Sequence, residues 1–168
     1  MAGDKRHDMS SFHHIVLLAA DNTEFSEYAF NWYKDYIHRP ENFVIILHCT
    51  DHQAEDFRDA SSQNASGKKG PGRTAKMFKE YTEALRSIEE KFGTLMANAG
   101  MHGKIRKGNG KPGEAIIQAA AEEGASMIVT GTRGLSKLKR TFLGSVSDYV
   151  AHHSPVPVII CRRSDRST

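Results

Sequence analysis

The chain has 168 residues, 39% of them apolar and 26% charged, which is typical of one globular domain and excludes a fibrous repeat or wholesale disorder. Its formal net charge of +3 is too small to indicate nucleic-acid binding by itself. No apolar run approaches the roughly 18 residues of a membrane span, the N-terminus lacks a signal-peptide core, and two cysteines are too few for a disulfide framework, so we expect a cytoplasmic protein without a membrane partner.

The first part of the chain predicts a strand, a helix and a second strand. Polar residues 1–13 are expected to form a loose tail. The continuous apolar run over 15–20 is typical of a strand buried on both faces, helical spacing of apolar residues follows over 23–36, and another apolar strand spans 43–48. Residues 51–73 are rich in Ser, Gly and Lys and lack apolar periodicity, which predicts a flexible insertion.

The remaining residues continue the alternation of helix and strand. The predicted elements are a helix from Thr74 to Gly100, a weak edge-like strand over 102–107, a helix over 115–123, a strand over 127–130, a helix that contains Val146, Tyr149 and Val150, and a strand over 155–161. Pro155 and Pro157 cannot donate ladder hydrogen bonds, so the last strand should begin at a sheet edge. The pattern predicts one α/β domain over 14–163 with a parallel sheet, followed by a short tail over 164–168.

Two glycine-rich segments are weak candidates for a nucleotide-binding loop. Residues 67–74 miss the P-loop pattern by one residue and do not follow a buried strand, which favours a flexible basic loop. Residues 108–113 match GxGxxG, but the strand before them is polar and no acidic residue ends a strand about 20 residues later. A turn followed by a helix is the better interpretation of that second segment.

A third segment joins Gly131 and Gly134 to Gly144 and Ser145, directly after a buried strand and before the last helix. Gly131 and Gly134 can adopt positive φ and let the backbone approach a ligand. Gly144, Ser145 and Val146 should present free N–H groups to a phosphate at the helix N-terminus. The last 38 residues hold seven basic and two acidic side chains, and three of those cations lie between Gly134 and Gly144. We therefore predict a phosphate pocket here, with a solvated basic loop as the alternative.

With these residues the chain resembles the universal stress protein family, in its ATP-binding branch. The resemblance rests on the first strand ending at Asp21, VIILHC over 44–49, the turn Gly110-Lys111-Pro112, IVTGTRG over 128–134, GSVS over 144–147 and PVPVIICR over 155–162. The motif G-x2-G-x9-G-[S/T] is specific to the nucleotide-binding branch. The resemblance implies a Rossmann-like, adenine nucleotide alpha hydrolase-like fold: a five-stranded parallel sheet of order 3-2-1-4-5 with helices on both faces. It also implies ATP or a related adenine nucleotide, with or without Mg²⁺, and a homodimer.

The resemblance also implies which residues line the nucleotide. Matched by position, they are Ala19, Ala20, Asp21, Cys49, Thr130, Gly131, Arg133, Gly134, Gly144, Ser145, Val146 and Ser147. Asp21 would contact the adenine or the ribose; the alternative is that it caps the following helix, and the two roles can coexist. Cys49 stands where the family usually has valine.

The sequence favours binding over catalysis. Near the phosphate loop the one carboxylate is Asp148, which we expect to be an exposed helix residue, so hydrolysis of ATP should be slow at most. Among the nine histidines, His48 and His52 have HxxxH spacing but straddle a strand end and a loop, so no pair has helical HxxxH geometry and no metal site made of protein side chains is predicted. We expect a nucleotide-dependent sensor or switch in the stress response that dimerises through the C-terminal strand. A nucleotide-independent, chaperone-like interaction module and a slow ATPase remain as alternatives.

Overall fold

The computed structural model describes residues 12–49, 71–132 and 143–163. Within these ranges strands and helices alternate along the chain: β1 (His14–Ala20), α1 (Glu24–Tyr36), β2 (Asn42–Cys49), α2 (Pro71–Asn98), β3 (His102–Gly108), α3 (Pro112–Glu122), β4 (Met127–Thr132), α4 (Ser145–His153) and β5 (Val158–Arg162). Residues 1–11 of the predicted N-terminal tail and the whole predicted C-terminal tail over 164–168 lie outside the described residues. The same holds for residues 51–70 of the predicted insertion.

The five strands form one parallel sheet of order β3-β2-β1-β4-β5. This order confirms the expected 3-2-1-4-5 arrangement. The chain proceeds from β1 to β2 and β3 on one side of the sheet and then returns to β4 and β5 on the other side. Because of this reversal, the connections that leave β1 and β4 diverge, and such a divergence opens a crevice at the carboxyl ends of the strands.

The core has one layer on each face of the sheet, because alternate side chains of a strand point to opposite faces. On one face Val16 and Leu18 of β1 pack with Phe30 of α1 and Phe92 of α2. On the other face Leu17 packs in a cluster with residues of α3 and α4. Since both faces are covered, the central strands require apolar residues at every position, which explains the continuous apolar runs in the sequence.

The starts of α2 and β5 differ from the sequence prediction by three residues each. Helix α2 begins at Pro71 rather than after a cap at Thr74, so it includes residues 71–73 that the prediction placed in the insertion. Proline suits a first turn, because the N–H that it lacks would have no helical acceptor there. Strand β5 begins at Val158 rather than at residue 155. Pro157 lies before the strand, where its carbonyl accepts a hydrogen bond from the Ile128 N–H at 2.9 Å.

Candidate functional site

A cavity of about 520 Å³ lies at the carboxyl ends of β1 and β4. It occupies the crevice that the fold predicts there, since α1 follows β1 onto one face and α4 follows β4 onto the other. Ten of the twelve residues predicted to contact a nucleotide line this cavity: Ala19, Ala20, Asp21, Cys49, Thr130, Gly131, Gly144, Ser145, Val146 and Ser147. The other two, Arg133 and Gly134, lie outside the described residues.

The N-terminus of α4 forms one wall of the cavity with backbone N–H groups. Gly144 is the N-cap, and the first helical hydrogen bond runs from the Asp148 N–H to the Gly144 carbonyl at 2.9 Å. The N–H groups of Ser145, Val146 and Ser147 precede this first donor, so they have no acceptor within the helix. A helix end of this kind attracts anions, because its N–H dipoles point outward. Asp148 itself lies in the first turn with its side chain 56% exposed, as the sequence analysis expected.

The structure corrects the expected role of the Gly144 amide. This N–H was predicted to be free for a phosphate, but it donates to the Thr132 hydroxyl at 3.3 Å. A second hydrogen bond, from Ser147 Oγ to the Gly131 carbonyl at 3.1 Å, runs between the same two elements. Together the two bonds hold the start of α4 against the end of β4. Thr132 was not among the predicted site residues, although a hydroxyl residue at the end of a buried strand beside a glycine loop is a recognisable signal.

Gly131 is also needed for a reason other than the one expected. Among the described glycines, positive φ occurs at positions 100, 110 and 124 and not at Gly131. An added Cβ at Gly131 would lie 2.6 Å from the carbonyl oxygen of Phe25 and 3.5 Å from the Ala29 Cβ. The glycine therefore lets α1 approach β4 closely, and this contact brings the first turn of α1 to the cavity.

Asp21 lies in the turn between β1 and α1 and accepts several hydrogen bonds there. Its Oδ1 accepts from the Thr23 N–H at 2.9 Å, from the Ser26 hydroxyl at 2.6 Å and from the Thr23 hydroxyl. The N-cap of α1 is Thr23, two residues later, with no side-chain cap. The alternative that Asp21 caps the helix is thus wrong: its carboxylate closes the turn that precedes the cap, as Asp side chains often do.

Another part of the cavity wall is mostly apolar. It is formed by Ala19, Leu47 and Ile116, with the half-buried Cys49 beside them. The Cys49 sulfur packs against Gly108, where an added Cβ would lie 2.8 Å from it. The cavity thus combines an apolar wall with a rim of backbone amides, which suits a ligand that has a flat apolar part and an anionic group.

The other cysteine lies apart from the cavity. Cys161 is buried in the core on β5, and burial raises the pKa of its thiol to about 11. Neither cysteine is in a disulfide.

In the described ranges, no group of three or more His, Cys, Asp or Glu side chains could hold a metal ion. No helix in the same ranges is long and apolar enough to cross a membrane.

Sequence comparisons connect the chain to known proteins. A family model described as the universal stress protein family matches residues 13–162. A universal stress protein of Bacillus subtilis is 40% identical over 84 residues, which is 50% of this chain and 54% of that relative, so this match spans about half of the relative. A universal stress protein of Methanocaldococcus jannaschii is 28% identical over 162 residues and matches 94% of this chain and 99% of its own length.

Solved structures show the same architecture. A universal stress protein in complex with cAMP is 26% identical and superposes with a TM-score of 0.64, covering 92% of this chain and 100% of the other. A universal stress protein family member from Arabidopsis thaliana with AMP bound is 21% identical and has a TM-score of 0.61, covering 92% of this chain and 95% of the other. The second likeness is evidence for the fold alone.

Proposed function

The chain belongs to the universal stress protein family, and from that premise we propose that its cavity binds an adenine nucleotide, ATP or AMP, as a sensor or switch in the stress response. The observation that carries the proposal is that the start of α4, with its backbone amides, and an apolar wall line the same cavity at the carboxyl ends of β1 and β4. Two structures of this family, one with AMP and one with cAMP, support the choice of an adenine nucleotide.

In this proposal the apolar wall contacts the adenine ring and the start of α4 contacts the phosphates. The adenine ring would lie against Ala19, Leu47 and Ile116, where it loses contact with water. The phosphates would lie at the N–H groups of Ser145 to Ser147, where the helix dipole stabilises negative charge. Arg133 and Gly134, outside the described residues, would complete the phosphate side in this proposal.

We propose binding rather than catalysis as the main activity. Asp21 is the one acidic side chain among the described residues that line the cavity. Its Oδ1 already accepts three hydrogen bonds from Thr23 and Ser26, which weakens it as a base for an attacking water. Any Mg²⁺ in this proposal would arrive with the phosphates of ATP.

Cys49 provides a direct test, because it lies in the cavity wall and the other cysteine does not. At pH 8 a thiol with a pKa of about 11 is ionised in about one molecule in a thousand, so Cys161 should not react with an alkylating reagent. We expect one thiol, Cys49, to react, and we expect AMP or ATP at about 90% saturation to slow that reaction about tenfold. Mass spectrometry of the alkylated chain gives the site and the rate.

Isothermal titration calorimetry of the unmodified chain supplies the affinities needed to set the nucleotide concentrations. The Cys49→Ser variant is the matched control, since it should lose the reaction while Cys161 stays unreactive. A folded chain that shows neither binding heat nor protection of Cys49 with either nucleotide would contradict the proposed function.

We also propose a homodimer through β5, because charge distinguishes the two edges of the sheet. On the β3 edge, Lys104 and Arg106 lie 2.8 Å and 2.7 Å from the carboxylate of Glu123. Partial burial raises the pKa of Glu123, but hydrogen bonds from both cations outweigh that effect and the pKa is lowered. A charged edge of this kind disfavours the addition of another strand.

The β5 edge is apolar by comparison, since residues 158–160 are half-buried Val and Ile. Helices α1 and α4, which both border the cavity, also contact β5, so a ligand in the cavity can affect this edge.

We expect light scattering after size exclusion to give twice the chain mass of 18.7 kDa, and added ATP to shift the equilibrium between monomer and dimer. A monomer at micromolar concentration, with and without ATP, would contradict the dimer.

A further inference from the structure

The orientation of Asp21 in the cavity depends on a serine that the sequence pattern does not single out. We propose that Ser26 is a positioning residue, which holds the Asp21 carboxylate so that it accepts a hydrogen bond from the nucleotide. The proposal rests on the proposed function of the cavity and adds a specificity determinant to it.

Ser26 binds Asp21 at two points. Its hydroxyl accepts a hydrogen bond from the Asp21 backbone N–H at 2.9 Å and donates to Asp21 Oδ1 at 2.6 Å. The two bonds close a ring that fixes the carboxylate relative to its own backbone. Ser26 is 6% exposed and lies in the first turn of α1, so the helix determines where its hydroxyl stands.

The hydrogen bonds from Thr23 and Ser26 converge on one oxygen of the Asp21 carboxylate. Oδ1 accepts from Ser26 and from both the N–H and the hydroxyl of Thr23, which uses its acceptor capacity. An ionised carboxylate has no proton to donate, so the matching ligand group must be a donor: a ribose hydroxyl or the exocyclic amine of adenine.

The gain in binding free energy comes from ordering the Asp21 carboxylate before the nucleotide binds. A side chain that is already held in the binding rotamer does not lose further conformational entropy when the nucleotide binds. Removing the Ser26 hydroxyl leaves only the two Thr23 bonds on Oδ1, which loosens the carboxylate, and it also leaves the Asp21 N–H without this acceptor. Ser26 and Asp21 should then behave as one unit, so that the effect of removing the first depends on the presence of the second.

A double-mutant cycle measured by calorimetry with AMP tests this coupling. We expect Ser26→Ala to weaken AMP binding about tenfold and Asp21→Ala to weaken it at least as much. The double variant should bind no more weakly than Asp21→Ala alone. Losses that multiply in the double variant would overturn the proposal, because Ser26 would then act independently of the carboxylate.

Analogues of AMP identify the donor group. With the unaltered chain, weaker binding of 2′-deoxy-AMP or 3′-deoxy-AMP would assign the contact to a ribose hydroxyl, and weaker binding of inosine monophosphate would assign it to the amine. In either case, the selectivity should disappear in both Ser26→Ala and Asp21→Ala. Equal binding of all four nucleotides by the unaltered chain would overturn the proposal.

Ser154 provides a matched control, because its hydroxyl also donates to and accepts from one residue, Val156, at 2.7 and 3.1 Å. It does not line the cavity, so Ser154→Ala should bind AMP like the unaltered chain. If Ser26→Ala fails to fold, Thr23→Val enters the same cycle, since it also removes a donor to Oδ1. If the unaltered chain does not bind AMP, both the proposed function and this inference are overturned. If it binds AMP but the losses of affinity in Ser26→Ala and Asp21→Ala multiply in the double variant, the inference alone is overturned.

Discussion

Replacing Ser145 with aspartate is expected to weaken AMP and ATP binding by a hundredfold or more while the fold stays at least as stable. Ser145 is the first residue of α4 and its side chain is exposed. A negative charge there interacts favourably with the helix dipole, by roughly 0.3–1 kcal/mol. The same charge would lie beside the bound phosphate, and two like charges about 4 Å apart repel by about 4 kcal/mol at an effective dielectric of about 20. Stability and affinity should therefore change in opposite directions.

The neutral variant Ser145→Asn is the matched control, because it has the shape of aspartate without the charge. We expect its affinity for AMP to stay within about threefold of the native value, since a surface change without charge costs little. Thermal unfolding and calorimetry measure the two properties separately. If Ser145→Asp bound ATP as tightly as the native chain, the phosphates could not lie at the N-terminus of α4.

Replacing Gly131 with alanine should have the largest effect on stability among the cavity residues. The new Cβ would lie 2.6 Å from the Phe25 carbonyl oxygen, and that neighbour is backbone, which cannot rotate away. Helix α1 would have to move off β4, at a cost of about 1–3 kcal/mol for overpacking. The melting temperature should fall by roughly 2–4 °C for each kcal/mol in a chain of this size. AMP binding should weaken as well, because the displaced turn carries Ser26.

Gly144→Ala is the matched control for this substitution. At Gly144 an added Cβ would meet just the Thr132 hydroxyl, at 3.6 Å, and φ is −59°, which alanine adopts without strain. We expect its loss of stability to stay below about 1 kcal/mol. Equal melting temperatures for the two alanine variants, measured by circular dichroism, would show that the close contact between Gly131 and α1 does not constrain the fold.

Much of the fold could be predicted because its signals are local. The apolar runs over 15–20 and 43–48 and the helical spacing after Thr23 report burial within one element. Alternation of these elements implies a parallel sheet and a site at the carboxyl ends of its strands. The strand order is different: the residues alone left it open, and the family resemblance supplied the order that the structure confirms.

The sequence by itself thus determined the α/β architecture and a candidate phosphate site between β4 and α4, and the family resemblance supplied the other residues that gather at the carboxyl ends of β1 and β4. Tertiary structure alone decided which atoms meet there: Ser26 with Asp21, Thr132 with the Gly144 amide, and Gly131 with the backbone of Phe25. The physical reason is that periodicity records how one element is buried, whereas a hydrogen bond or a close backbone contact depends on the exact distance between two elements. That distance is set by the packing of the whole core, which no short stretch of sequence encodes.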